Sequence, residues 1–335
     1  MGSWLWKLTV GFFVSVTLFS VWAAAQENQG VNTKVEEKHS GELPAGLLRL
    51  GDGVLFPPYA LVVDKSKKLI HVVDNSSGSP SILETYESDL GKHSGRKTST
   101  GDAKTPEGIY FLQRLMKGPG LDPHMYGVQA YATDYPNFFD LRDGRTGTGI
   151  WLHAIDDKVG LERGSKGCVV VRNDTIKKLG NIITLRETPL MIFDKVQWVP
   201  AEEAKKGADA ILDIIAKWKA SWENKDVDQY IGFYDQEFKS GKMTKDLWRR
   251  YKTDLASRYK DIKVSLSMPV IYEHNDTLVV RFYQDYNSSD HSDFGEKTLY
   301  FLKRPEGYRI LGETWQETTN PKARSLLATN LCCQK

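Results

Sequence analysis

The chain has 335 residues, 26% of them charged and 40% hydrophobic, which is a composition typical of folded domains and a length beyond one ordinary core. With 45 basic and 43 acidic side chains the net charge is only +2, and no basic block interleaved with aromatic residues occurs. This pattern lacks the electrostatic footprint of a nucleic-acid-binding protein, and the length predicts two domains.

The N-terminus carries an export signal. Lys7 precedes an apolar run from Leu8 to Trp22, and small residues at Ala23 and Ala25 form an A-x-A cleavage pattern. The run is shorter than the roughly 20 residues that a membrane-spanning helix needs. Residues 1–25 are therefore predicted to be a signal peptide, with an uncleaved membrane anchor as the alternative.

Residues 26–54 are predicted to be a linker and N-terminal segment, in which residues 44–50 form a short helix. From residue 55 the pattern changes to short β-rich runs separated by Gly, Pro, Asp and Asn. Two of these runs flank a polar turn at residues 64–68 and predict a hairpin. A helix is expected to begin near Asn173, and the predicted strands lie at residues 59–63, 69–73, 81–87, 108–115, 127–133, 149–155 and 189–193.

A second domain is predicted at residues 201–320, because the apolar spacing becomes helical after Pro200. Predicted helices at residues 201–222, 226–238 and 245–259 precede strands at residues 262–272, 277–286, 297–303 and 308–315, which indicates an α+β fold. Residues 321–335 are predicted to be a disordered tail. Its adjacent cysteines, Cys332 and Cys333, would alternatively bridge to another chain.

Cys168 is the candidate nucleophile, and His153 is the candidate base. A thiol attacks as thiolate, so an imidazole that takes its proton is the partner that such chemistry requires. The alternatives are that Cys168 is a small buried hydrophobic residue and that His153 is one more imidazole at a strand end.

The motif Ser165-x-Gly167-Cys168, with His153 on a preceding apolar strand and Asn173 after it, resembles the catalytic motif of the L,D-transpeptidase (YkuD-like) family. The resemblance covers roughly residues 55 to 198 and implies a mostly β catalytic domain at residues 55–200, a β-sandwich with short helices. The aromatic spacing from Trp218 to Phe238 resembles the start of a nuclear-transport-factor-two-like (NTF2-like) domain. That domain has helices packed on a curved antiparallel sheet around a pocket, as in cell-shape L,D-carboxypeptidases.

The resemblance also implies roles within the site. His153 would activate Cys168 and protonate the leaving amine, while the carbonyl of Ala154, where the family usually has Gly, would hold the other imidazole nitrogen. The N–H groups of Gly167 and Cys168 would stabilise the oxyanion, unless Gly167 is a plain turn glycine.

Substrate contacts are expected from five further residues around this motif. Ser165 would orient the loop or touch substrate, Arg172 would bind a carboxylate or be a surface arginine, and Asn173 would match the family's Asn or cap a helix. Two positions depart from the family, which commonly has His at Lys166 and Arg at Val170. The expected substrate-binding residues are Ser165, Lys166, Arg172, Asn173 and, at the cleft entrance, Tyr135.

No cofactor and no metal are predicted. The seven histidines show no H-E-x-x-H spacing, and neither a C-x-x-C pair nor a phosphate-binding glycine loop occurs. An acidic pair that converges in space would serve a glycosidase, but the sequence singles out no such pair.

The resemblance therefore predicts a peptidoglycan-modifying cysteine acyltransferase, an L,D-transpeptidase that attacks the L,D bond of stem tetrapeptides through a Cys168 thioester. An L,D-carboxypeptidase that trims tetrapeptide to tripeptide for cell-shape control is the alternative, and a non-catalytic cell-wall binding module is the alternative of another class. The expected location is the periplasm or cell envelope of a bacterium. Expected partners are peptidoglycan stem peptides, with an envelope protein as a candidate at the C-terminal domain and no nucleic acid.

Overall fold

The computed structural model describes residues 1–2, 34–37, 39–319, 321–329 and 331–333. The signal peptide predicted at residues 1–25 lies outside these residues, except for residues 1 and 2. Residues 33–335 form one compact unit. Within the described part of the chain, no helix is long and apolar enough to cross a membrane.

The predicted catalytic domain is built mostly from strands. Its strands and helices, with the N-terminal strands that precede them, are β1 (Glu42–Pro44), β2 (Leu47–Arg49), β3 (Tyr59–Asp64), β4 (Leu69–Asp74), β5 (Ser81–Glu87), β6 (Gly108–Lys117), α1 (Pro123–Tyr126), β7 (Gln129–Thr133), α2 (Phe138–Arg142), β8 (Trp151–Ile155), a 3-10 helix (Leu161–Arg163), β9 (Val169–Arg172), α3 (Asn173–Gly180), β10 (Pro189–Phe193) and β11 (Trp198–Pro200).

Eight of these strands pair in the order β5-β4-β3-β10-β6-β7-β8-β9. The predicted hairpin is confirmed, since β3 and β4 are antiparallel neighbours. Side chains alternate along each strand, and one apolar cluster collects alternate residues from both ends of this order, so the sheet folds over on itself as the predicted sandwich. From β3, β4, β8 and β9 this cluster contains Leu61, Val63, Ile70, Val72, Leu152, Ala154, Val169 and Val171.

The C-terminal domain packs helices on a curved antiparallel sheet, as predicted. Its strands pair in the order β18-β17-β16-β15-β2, and β14 also pairs with β16. The elements are α4 (Ala201–Glu223), α5 (Val227–Gly232), β12 (Lys239–Ser240), β13 (Met243–Thr244), α6 (Lys245–Arg258), β14 (Ile262–Leu266), β15 (Val270–His274), β16 (Thr277–Ser288), β17 (Ser292–Arg304), β18 (Gly307–Glu317) and α7 (Pro321–Thr329).

Two predicted elements of this domain are shorter than expected. The predicted helix at residues 226–238 ends at Gly232, and the predicted strand at residues 262–272 is two strands, β14 and β15. Pro269 lies in the gap between them, where its missing N–H cannot serve a strand ladder.

The N-terminal segment ties the two domains together, and the short helix predicted at residues 44–50 is wrong. β1 pairs with β11 at the end of the catalytic domain, and β2 pairs with β15 in the C-terminal sheet. The backbone passes so close to β15 that a Cβ on Gly46 would collide with the carbonyl oxygen of Glu273. Pairing with distant strands therefore overrides the local helical pattern.

The interface between the domains is a hydrophobic core crossed by a buried cation. Residues from β3 and β6, such as Val62 and Phe111, share one cluster with Tyr272 of β15. Arg281 of β16 is paired with Glu296 of β17, its Nε donating to Oε1 at 2.6 Å, and its Nη1 donates to the carbonyl oxygen of Arg186 in the catalytic domain at 2.8 Å.

The described part of the tail is ordered, so the prediction of a disordered terminus is wrong there. Helix α7 contributes Ala323 and Leu327 to the interdomain core. Beyond it, the amide of Cys332 donates to the carbonyl oxygen of Leu266 at 2.8 Å, and Cys332 is joined to Cys333 by a disulfide. The tail thus packs on the C-terminal sheet.

Candidate active site

Two adjacent parallel strands bring His153 and Cys168 together. β8 and β9 pair with Leu152 opposite Val169 and His153 opposite Val170, and Cys168 immediately precedes β9. Leu152 and Val169 point into the core of the sandwich. Because side chains alternate along a strand, His153 and Cys168 both lie on the opposite face.

The backbone of its own strand orients the imidazole of His153. The Nδ1 atom lies 2.5 Å from the carbonyl oxygen of Ala154, and the ring meets the ring of Tyr126 edge-on with centroids 5.2 Å apart. A carbonyl only accepts hydrogen bonds, so Nδ1 carries the proton and Nε2 keeps its lone pair. Burial lowers the pKa of His153 to about 4. The positive charge of Arg163 lowers the pKa further, and the hydrogen bond to Ala154 opposes both effects. The imidazole is therefore neutral at pH 7.

Cys168 is also neutral in the resting protein. Its Sγ atom lies 3.5 Å from the carbonyl oxygen of Gly149, and only 9% of the residue is exposed. Burial raises the pKa of the thiol to about 11, opposed by a backbone hydrogen bond from Trp151 and by the positive charge of Lys97. At pH 7 the resting thiol therefore keeps its proton.

The turn that precedes Cys168 is closed by Ser165. The hydroxyl of Ser165 donates to the carbonyl oxygen of Cys168 at 2.8 Å and accepts the N–H of Gly167 at 3.0 Å. Gly167 has φ +123°, and a Cβ there would lie 2.6 Å from the carbonyl oxygen of Lys104. Only glycine fits this conformation and this approach. In this structure the N–H of Gly167 thus serves the turn.

Two of the residues predicted to bind substrate hold neighbouring loops. Arg172 donates from Nη1 to the carbonyl oxygen of Val159, and its buried Nε has no partner in the described part of the protein. Asn173 does not cap α3, because the N-cap residue is Arg172. Its Oδ1 accepts the N–H of Val128 at 2.9 Å and its Nδ2 donates to Asp157 at 3.0 Å.

The other two predicted contacts differ in exposure. Lys166 is exposed at the tip of the turn. Tyr135 is buried, and its hydroxyl donates to the carbonyl oxygen of Thr146 at 3.0 Å, which fastens the glycine-rich loop at residues 143–149.

A loop covers the thiol. Residues 156–163 connect β8 to the catalytic turn, and their Val159 and Leu161 pack on the small cluster that contains Cys168 and Val170. His124 anchors this loop by contacting Asp156 at 3.0 Å. The site is therefore closed on this side in the structure.

Sequence reasoning missed several residues that shape the site. Lys97 is buried close enough for its charge to act on the thiol, and it is bonded to Asp102 at 2.7 Å. Tyr126 packs on His153, and the carbonyl oxygen of Gly149 accepts the thiol S–H. Gly127 could have been noticed, since a glycine directly after a short helix indicates a left-handed cap, and its φ is +63°.

The C-terminal domain contains a separate cavity of about 480 Å³. Lys252 lies at its wall, with Nζ 4.1 Å from the ring centre of Trp222 and 4.8 Å from that of Trp248. Burial lowers the pKa of Lys252 to about 7. Lys297 in the same cavity is instead paired with Glu313 at 2.8 Å. The cavity thus offers aromatic faces and a cation that has no paired carboxylate among the described residues.

Among the described residues, no group of three or more His, Cys, Asp or Glu side chains is arranged to hold a metal ion.

Comparison with known proteins matches both parts of the chain. The model of the L,D-transpeptidase catalytic domain matches residues 58–194, and that of the Cds6 C-terminal NTF2-like domain matches residues 210–314. The structure of Bdellovibrio bacteriovorus Bd1075 is 43% identical, covers 83% of this chain and 99% of its own, and superposes with a TM-score of 0.77. The chain belongs to the L,D-transpeptidase catalytic domain family.

Two further solved structures are similar to this chain over most of its length. The helical cell shape determining protein Pgp2 from Campylobacter jejuni is 30% identical, with 79% of this chain and 96% of that chain covered and a TM-score of 0.62. A point mutant of Pgp2 is also 30% identical, over 79% and 94%, with a TM-score of 0.63. A search of curated protein sequences found no significant match. This L,D-transpeptidase-like enzyme is thus similar to a protein that determines cell shape, and its family acts on peptidoglycan peptides.

Proposed function

We propose that this protein is an L,D-carboxypeptidase that trims peptidoglycan stem tetrapeptides to tripeptides. Cys168 attacks the carbonyl carbon of the diamino acid at the third position, and the terminal D-amino acid leaves. The observation that carries the proposal is the pair formed by Cys168 and His153 on one face of β8 and β9, with Nδ1 of His153 fixed by Ala154 and Nε2 free to take a proton.

The first half of the reaction forms a thioester. As the S–C bond forms, the proton on Sγ of Cys168 moves to Nε2 of His153, and the carbonyl oxygen becomes an oxyanion. The carbonyl of Ala154 accepts the Nδ1–H and stabilises the imidazolium. The C–N bond then breaks, and His153 gives its proton to the leaving amine.

The second half returns the enzyme to its resting state. A water attacks the thioester while His153 takes one of its protons, and the C–S bond breaks with return of that proton to Sγ. The products are a neutral thiol and the tripeptide carboxylic acid, which releases its proton to solvent as the carboxylate forms. His153 is needed in this half as well, because it takes a proton from the attacking water and returns it to Sγ.

The oxyanion requires a nearby N–H donor. We assign this role first to the amide of Cys168, because the N–H of Gly167 already donates to Ser165. The N–H of Gly167 becomes a second donor to the oxyanion only if the hydroxyl of Ser165 turns away when substrate binds.

The apolar surroundings of the thiol favour water over an amine as acceptor. Val159 and Leu161 of the connecting loop pack on the cluster that contains Cys168, and Val170 stands where the family commonly has Arg. A water fits such a site after the leaving group departs, whereas a second stem peptide needs a further open groove. Transpeptidation, the first expectation from the sequence, is the alternative outcome of the test.

The C-terminal cavity is proposed as a second binding element for the cell wall. Tyr251 and Trp315 line the cavity and are exposed, so they offer faces on which sugar rings stack, and Lys252 offers its amino group to a carboxylate. A cavity of about 480 Å³ suits a small ligand better than it suits an envelope protein. Titration of intrinsic tryptophan fluorescence with muropeptides tests this: Lys252→Met should weaken binding at least tenfold, and unchanged binding by this variant would contradict the assignment.

The proposed compartment is the bacterial periplasm or cell envelope. It rests on the signal peptide predicted at residues 1–25 and on the substrate class of the family. The presence of the mature N-terminus near residue 26 in a periplasmic fraction would support it.

The activity is tested with purified tetrapeptide muropeptides and mass spectrometry of the products. The mature protein should release tripeptide and the free terminal D-amino acid, and Cys168→Ala should release neither. Dimers joined between diamino acids would instead establish transpeptidation. No product dependent on Cys168 would favour the non-catalytic cell-wall binding module.

A further inference from the structure

Lys97 is a buried cation that the family motif does not contain. Its side chain is 3% exposed, and Nζ donates to Oδ1 of Asp102 at 2.7 Å and to the carbonyl oxygen of Ser99 at 2.9 Å. Lysine is rarely buried unless it is paired. The burial of Lys97 therefore indicates a role in addition to packing.

The segment around Lys97 is bonded to the loop at residues 143–149, which contacts the thiol. The amide of Thr146 donates to the carbonyl oxygen of Thr98 at 3.1 Å, and Thr146 Oγ1 accepts the amide of Thr100 at 3.2 Å. At Gly147 a Cβ would lie 3.2 Å from Cε of Lys97, so the lysine stem packs directly on this loop. The same loop continues to Gly149, whose carbonyl oxygen faces the thiol of Cys168.

Asp102 neutralises Lys97 only in part. Its carboxylate also accepts the amides of Thr98 at 2.8 Å, Ser99 at 3.1 Å and Lys104 at 3.2 Å. A carboxylate that spreads its charge over three backbone dipoles leaves part of the lysine field uncompensated. That field reaches Cys168, where it opposes the effect of burial on the thiol.

We propose that Lys97 is a positioning residue that stabilises the thiolate of Cys168 electrostatically, from behind the loop at residues 143–149. It would supply the positive charge near the nucleophile in a chain that has Val170 where the family commonly has Arg. The charged or titratable groups around the thiol are His153 of β8, Lys97, Asp102 and Lys104 of the segment at residues 97–104, and Asp156, Asp157, Lys158, Glu162 and Arg163 of the covering loop.

This proposal rests on the proposed role of Cys168 as nucleophile, but its test needs no peptidoglycan. The test is the rate of Cys168 alkylation by iodoacetamide in the folded protein at about pH 8.5, read by mass spectrometry of the Cys168 peptide. Below its pKa the thiol reacts in proportion to its thiolate fraction. The variants are Lys97→Met, which keeps the stem, Lys97→Arg, which keeps the charge, and Asp102→Asn, which keeps an acceptor for the amides.

The two members of the ion pair should act in opposite directions. Lys97→Met should slow alkylation by about three- to tenfold, Lys97→Arg should stay within about twofold of the wild type, and Asp102→Asn should accelerate alkylation by about threefold or more. A merely structural role predicts that Lys97→Met and Asp102→Asn change the rate in the same direction or leave it unchanged, and either result would overturn the proposal.

If Lys97→Met does not fold, the pH dependence of Asp102→Asn decides the matter: a more stable thiolate speeds alkylation only below the pKa of the thiol, whereas a loosened loop would speed it at every pH and would overturn the proposal. Failure of the proposed carboxypeptidase function is a separate result, because it would appear as absence of product from the wild-type protein whatever the alkylation rates are.

Discussion

A Cβ atom on Gly127 would overlap the methyl group of Ala154, so the absence of a side chain at residue 127 is what makes room for alanine after the candidate base. The backbone of Gly127 is left-handed, with φ +63°, and the same Cβ would lie 2.5 Å from Oδ1 of Asn173. Ala154 in turn supplies the carbonyl that orients His153. The position of the imidazole therefore depends on a glycine that lies far from it in sequence.

Gly127→Ala should reduce both stability and activity. The left-handed conformation and the overlap together should cost about 2–4 kcal/mol of the free energy of unfolding. Displacement of Ala154 should lower the rate of Cys168-dependent product formation more than tenfold. Urea unfolding and the muropeptide assay measure the two effects. Adding Ala154→Gly should restore only part of the loss, because the conformation of residue 127 and the contact with Asn173 remain; full stability in the single variant would disprove this dependence.

The free protein should behave as a neutral thiol beside a neutral imidazole. With the pKa of Cys168 raised to about 11 and that of His153 lowered to about 4, alkylation should be slow at pH 7 and rise about tenfold per pH unit up to about pH 10. Thiolate absorbance near 240 nm should follow the same curve and be missing in Cys168→Ala. A plateau already reached at pH 7 would mean a preformed thiolate–imidazolium pair and would contradict the resting state described above.

The loop over the thiol should limit access without changing its ionisation. Leu161→Ala removes apolar contacts over Cys168 and should raise the alkylation rate severalfold at every pH. The slope against pH should match that of the wild type, because no charge changes. Glu162→Gln, on the same loop, is the matched control. If Leu161→Ala leaves the rate unchanged, the thiol is reached from another side.

Acid should destabilise the protein through its buried histidines. Burial lowers the pKa of His71, His153 and His274 from 6.5 to about 4. Between these pH values the unfolded chain binds protons that the folded chain does not, so the free energy of unfolding should fall as pH drops from 6.5 to 4, by up to about 3 kcal/mol per histidine. Urea unfolding at a series of pH values measures this.

His274→Gln is the variant that isolates one histidine. Gln can still donate to the carbonyl oxygen of Ile192, which accepts from Nε2 of His274 at 3.0 Å. Its stability should decline less between pH 6.5 and 4 than that of the wild type. An identical decline would show that His274 does not stay neutral when folded.

The cation at the domain interface should be costly to remove alone. Arg281→Met leaves the half-buried Glu296 without its partner and should lower the free energy of unfolding by about 2–4 kcal/mol. The double variant Arg281→Met, Glu296→Gln should recover a substantial part of that loss, because no uncompensated charge remains. Equal losses in the single and double variants would assign the effect to packing of Arg281 over Phe111 instead.

The local pattern of the sequence predicts most strands and the long helix α4, because the spacing of apolar residues and the positions of turn residues are local properties. It does not predict where β2 pairs, since the three residues Leu47–Arg49 have no pattern that specifies a partner in the C-terminal sheet. Pairing between strands that lie far apart in the sequence is decided by tertiary packing.

The site divides in the same way. His153, Cys168 and the glycine of the turn are found from a motif in which spacing and residue type carry the chemistry. No local pattern predicts the burial of Lys97 or the packing of Val159 and Leu161 near the thiol. Both depend on how loops that are far apart in the sequence pack together. Ser165 and Asn173 form hydrogen bonds to backbone groups within the protein, and these contacts depend on the same packing.

The most direct measurement of the central claim is intact-protein mass spectrometry after acid quenching during turnover of a tetrapeptide muropeptide. The account predicts an adduct whose mass is that of the substrate minus its terminal D-amino acid, located on the peptide that contains Cys168. The adduct should be absent in Cys168→Ala. Release of tripeptide at an undiminished rate by Cys168→Ala, with no adduct on the wild type, would contradict the account.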